Sequence, residues 1–130
     1  MQTKNAEYSR ETDVQSASDG NAIRMRSMLL DQVVQDVRRA CDAIRRRQPE
    51  ACAREIGHAI AVFGYLQASL PRNTSPETAH ALGRFYTTMR EQLMEGQVRS
   101  SCDILESVRE QIIQAKFRVG DPSSNDKAGS

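Results

Sequence analysis

The chain has 130 residues, with 18 basic and 17 acidic side chains and a net charge of +1. A length of this order is one domain that buries roughly two-thirds of its unfolded surface, so it needs no covalent staple. The balanced charge gives no bulk attraction to nucleic acid or membrane, and three Tyr, three Phe and no Trp make a poor base-stacking platform.

Residues 1–20 are polar, lack helical periodicity and read as a flexible segment. Their lack of an apolar run also excludes a signal peptide. From Ile23 to Arg47, Leu30, Val33, Val34, Val37, Cys41 and Ile44 fall on one helical face. Arg45, Arg46 and Arg47 close that segment, where cations complement the negative helix end. Pro49 suits the first position of a second helix. Its stripe is Cys52, Ile56, Ala59, Ile60, Phe63, Leu66 and Leu70, and Pro71 stops it. Ser75, Pro76 and Glu77 form a strong start for a third helix, striped by Ala79, Leu82, Tyr86, Met89 and Leu93. Gly96 is placed to end it with positive φ. Ser100 or Ser101 caps a fourth helix carrying Leu105, Val108, Ile112, Ala115 and Val119. The fold class is therefore all-α: an antiparallel up-and-down four-helix bundle over 21–119, followed by a disordered tail over 120–130.

The residues offer no catalytic constellation. Cys41, Cys52 and Cys102 are odd in number, show no C-x-x-C spacing and lie on or beside apolar stripes, which fits small hydrophobes in a reducing cytosol. A Glu-x-x-His unit occurs once, as Glu55 and His58, whereas a di-metal bundle repeats it on a second helix. No phosphate loop or zinc spacing is present. The longest apolar stretch, "HAIAVFGYLQASL", is too short to span a bilayer. The sequence thus predicts a non-enzymatic cytosolic protein with no cofactor, no metal, no membrane insertion and no nucleic-acid partner.

The second and third helices carry more apolar residues than a simple bundle needs. Val62 and Tyr65 lie off the second stripe, and Phe85 and Met94 off the third. A wide apolar arc is either core from both sides or a groove for another chain's helix.

Read in order, "SMLLDQVV" at 27–34, the run Tyr86, Met89 and Leu93, and "EGQV" at 95–98 together resemble the FliS family of flagellar secretion chaperones. In "SMLLDQVV", Met28, Leu29 and Asp31 match its first-helix motif, while Leu30 replaces an aromatic and Gln32 a glycine. "AIAVFGYLQASL" is similar to the end of its second helix. Tyr86, Met89 and Leu93 follow its Tyr-x-x-Met-x-x-x-Leu run, and "EGQV" at 95–98 stands where it has Glu-Ala-Asn-Ile. Asp103 and Leu105 fit its last helix. Tyr8, Val14 and "SAS" at 16–18 echo its N-terminus, without the usual proline. Thr88 replaces a second family tyrosine, and the closing Trp is absent.

The resemblance implies a cytoplasmic export chaperone, working as a monomer or weak dimer. Its client would be the disordered amphipathic C-terminal segment of flagellin, kept from premature polymerisation and handed to export gate components of the flagellar type III apparatus. The alternative is a helical adaptor or export chaperone for a different client. The candidate client-binding residues are Val62, Tyr65, Phe85, Tyr86, Met89 and Met94. Of these, Tyr86 and Met89 lie on the inward stripe, where core and groove both remain open readings. Tyr8 and Val14 are candidates to cover the empty groove.

Overall fold

The structure, a computed structural model, describes the backbone of residues 2–71 and 74–120 and the side chains of residues 20–71 and 74–116. Four helices follow in order: α1 (Gln2–Arg45), α2 (Pro49–Ala68), α3 (Pro76–Val98) and α4 (Cys102–Gly120). The described residues contain no strand. Each helix packs on two neighbours, α1 and α3 each against both α2 and α4. Short connections alternate the directions, so the chain forms the expected four-helix bundle.

Three starts follow local chemistry. Pro49 opens α2 without a side-chain cap. Ser75 caps α3, its Oγ accepting from the Thr78 amide at 3.1 Å ahead of Pro76 and Glu77. Ser101 caps α4, accepting from the Ile104 amide at 3.2 Å. The fourth start differs from the sequence reading. The periodic pattern begins near Ile23, yet the backbone of α1 begins at Gln2. No proline interrupts Gln2–Gly20, so nothing in the sequence obliges the helix to stop.

Two ends correct the expectation at Gly96. Among the described residues no glycine has positive φ; Arg47 (58°) and Ser100 (50°) do. Both sit in the same closure. The Gln48 amide donates to Ala43 O at 2.8 Å and the Arg47 amide to Ile44 O at 3.0 Å. The Ser101 amide donates to Gly96 O at 2.9 Å and the Ser100 amide to Gln97 O at 3.1 Å. This paired pattern satisfies the last free carbonyls of each helix and requires one left-handed residue. Gly96 lies inside α3 instead. A Cβ there would stand 2.5 Å from Leu105 Cδ2, so the glycine is what lets α4 approach.

The core contains Leu30, Val33, Val37 and Cys41 of α1, Ile56, Phe63 and Leu66 of α2, Tyr86, Met89 and Leu93 of α3, and Leu105, Val108 and Ile112 of α4. Each large side chain moved out of water contributes about 1.5–3 kcal/mol. Val34, Ile44, Ile60, Leu70 and Leu82, also on the stripes, pack only at its margin. Polar contacts join neighbouring helices. Arg39 bridges α1 to Glu55 of α2 at 3.1 Å, and Arg45 bridges α1 to Glu106 of α4 at 3.1 Å. Gln67 of α2 donates to Thr87 of α3 at 2.9 Å, and Gln111 of α4 donates to Gln92 of α3 at 2.9 Å.

Candidate functional site

The candidate residues divide by depth. Tyr86 and Met89 are each 1% exposed and belong to the core, which settles where these stripe residues sit. Val62, at 7% exposure, is also buried, although the sequence places it off the stripe. Tyr65 and Met94 are more than half exposed, and Phe85 is half-buried against the core. Tyr8 and Val14 lie outside the residues whose side chains are described.

An apolar recess of about 80 Å³ opens between α1, α3 and α4. Ile23 and Leu30 of α1, Leu82, Phe85 and Tyr86 of α3, and Ala115 of α4 line it. The aromatic rings set its floor. Phe85 meets Tyr86 edge-on with centroids 5.9 Å apart, and Tyr86 in turn lies 5.9 Å from Phe63 of α2. Such tilted pairs fix ring orientation beyond simple burial. Burial pushes the Tyr86 phenol above its ordinary pKa, with Arg26 opposing the shift. Lys116, at the rim, forms an ion pair with Asp31 that ties α4 to α1.

The three accessible candidates do not converge. Phe85 and Met94 are nine positions apart, which is half a turn around a helix with ~100° per residue. Phe85 lines the recess toward α1 and α4, so Met94 faces away from it. Tyr65 lies on a third face, where its hydroxyl donates to Met25 Sδ of α1 at 3.6 Å. Apolar side chains are therefore exposed on several faces of the bundle. Ile23 and Met25 (each 50% exposed) and Met28 (64%) add to them. The sequence reading passed over these as sites. The available signal lay in "AIRMRSMLL": Ile23 continues the α1 stripe seven residues before Leu30, while Met25 and Met28 fall off it.

Glu55 and His58 do not join. His58 Nδ1 lies 2.5 Å from Asp36 Oδ2, and Glu55 pairs with Arg39. Asp36 is 1% exposed and also takes Arg39 at 2.6 Å, so one buried carboxylate holds two basic side chains at the α1–α2 seam. Glu55, then Asp36, hold the Arg39 guanidinium above its ordinary pKa. Among the described residues no three His, Cys, Asp or Glu side chains cluster as metal ligands.

The bundle thus carries a small apolar recess and three exposed methionines, Met25, Met28 and Met94. Residues 1–116 match the sequence profile of the family described as flagellar protein FliS. The chain belongs to the FliS family. FliS proteins are flagellar export chaperones, so the bundle is a chaperone scaffold. No curated protein matched the chain closely enough to count as a relative. Among the described residues no helix is long and apolar enough to cross a membrane.

Proposed function

We propose that this FliS protein binds the amphipathic C-terminal segment of flagellin in the cytoplasm. It shields the segment's apolar face from premature pairing and delivers it to the flagellar type III export apparatus. The observation that supports this reading most is the distribution of exposed apolar side chains over several faces of one small bundle, in a chain of this family. A disordered client costs several kcal/mol to order, so a long wrapped interface suits it better than a single cleft. Tyr65 at the α1–α2 seam, Phe85 at the recess and Met94 on the outer side of α3 are the proposed direct contacts. Unbranched methionines adapt to varied apolar partners. Val62, Tyr86 and Met89 act from behind, as the packed layer that sets the shape of that surface. Because Tyr8 and Val14 belong to the same continuous helix as Ile23, they cover the recess in the client-free state only once the first turns of α1 unwind and fold back.

The experiment is co-elution of the purified chain with the flagellin C-terminal segment, compared with a chain lacking residues 1–20. The proposal expects a stoichiometric complex with the full chain and tighter client binding after the deletion. Absence of a complex with both proteins contradicts it and turns the search to another export client.

A further inference from the structure

Two of the three cysteines meet across the bundle. Cys41 lies on α1 and Cys102 opens α4, 61 positions later. Cys41 Sγ approaches Cys102 O at 3.9 Å, and Cys102 Sγ approaches Cys41 O at 3.6 Å. Each sulfur thus reaches the backbone of the other residue. Bridging two cysteines requires neighbouring backbones, and the reciprocal sulfur–carbonyl contacts put these two backbones side by side. Both are free thiols, Cys41 buried and Cys102 half-exposed. The third thiol, Cys52, is buried on α2 and makes no such reciprocal contact.

We propose that Cys41 and Cys102 form a peroxide-responsive modification site that closes an inter-helix disulfide between α1 and α4. The half-exposed Cys102 is the entry point. Its sulfur attacks hydrogen peroxide, the O–O bond breaks, and Cys102 becomes a sulfenic acid while the second oxygen leaves as water. Cys41 then attacks the Cys102 sulfur. The S–S bond forms, the S–O bond breaks, and the Cys41 proton leaves with that hydroxyl as a second water. Two thiols and one peroxide give one disulfide and two waters, with the peroxide taking both electrons. Disulfides in a reducing compartment are characteristically transient and redox-sensing, and a thiol reductant reverses this one. The bond covalently staples the first and last helices of the bundle.

The test treats the folded full chain with hydrogen peroxide, alkylates it in denaturant and maps its peptides without reduction. The proposal expects loss of two of the three thiols, one linked peptide pair containing Cys41 and Cys102, and a monomeric product. The melting temperature should rise by about 5 °C or more, reversibly with dithiothreitol, because the crosslink closes a long loop. Cys102→Ser should abolish the linkage. Cys41→Ser should leave Cys102 without a resolving thiol, so it proceeds to sulfinic acid. Survival of all three thiols, a bond involving Cys52, or linkage only between separate chains would each overturn the proposal.

Discussion

Leu105 of α4 occupies the space that a side chain at Gly96 of α3 would need. A methyl group there would meet Leu105 Cδ2 at 2.5 Å and Cγ at 2.9 Å, and Leu105 is itself fully buried. Gly96→Ala therefore forces the α3–α4 pair apart or drives Leu105 off its rotamer, at about 1–3 kcal/mol. Gly57→Ala is the matched control. Nothing lies within 4 Å of a Cβ there, so the better helix former should stabilise the chain by about 0.5–1 kcal/mol. Urea unfolding of both variants checks the contrast, and equal effects would contradict it.

Arg47 and Ser100 hold left-handed backbone angles that glycine adopts without penalty. Replacing either with glycine should raise stability by about 0.5–1 kcal/mol while leaving the helical circular dichroism unchanged. A loss of stability at both positions would mean that their side chains contribute more than the backbone strain costs.

The four stripes, the serine caps and the proline starts were legible in the sequence because each rests on local spacing or on one residue's own chemistry. The helix ends were not. A glycine near the end of a periodic segment suggests a left-handed stop, but Gly96 is taken up by a contact with Leu105, a residue of the next helix. Val62 is a different case: set apart from the α2 stripe, it stands three residues after Ala59 and four before Leu66, so its burial was legible from that spacing. The site was legible only as an excess of apolar residues. That Phe85 and Met94 face opposite ways follows from their nine-residue separation, but their neighbours became visible only once the bundle was closed. The Asp36 cluster was missed because its members come from two helices and only Glu55 and His58 stand out in sequence.

Asp36 holds Arg39 and His58 from a site with 1% exposure. Losing either partner leaves one charged hydrogen bond to compensate the carboxylate; losing both leaves a buried charge unpaired. Arg39→Ala and His58→Ala should each cost about 1 kcal/mol. The double variant should exceed their sum by at least ~1 kcal/mol in denaturant unfolding. Simple additivity would contradict the shared role of the carboxylate.

Burial pushes the Cys41 thiol up to about 12, and burial also raises Cys52. In the reduced native chain at pH 8, iodoacetamide should therefore modify Cys102 first and Cys41 and Cys52 much more slowly, because the thiolate is the reactive form. The linked stability effect has a definite sign. The unfolded thiols ionise near their ordinary value of 9.0 while the folded ones keep their protons. Their contribution is complete below that pH and is lost as pH rises toward the folded value. Thermal unfolding scanned from pH 8 upward checks the decline, and a rise in stability over that range would contradict it.

The central claim is tested most directly by calorimetric titration of the full chain with the flagellin C-terminal segment at several temperatures. The account predicts one-to-one binding with a negative heat-capacity change, since an ordering client buries apolar surface. It further predicts that Tyr65→Ala, Phe85→Ala and Met94→Ala each weaken binding by about tenfold, or ~1.4 kcal/mol. Tyr65→Ala and Met94→Ala should leave the melting temperature unchanged, because both side chains are exposed. No binding heat at any temperature from a fully folded chain would contradict the account and exclude this segment as the client.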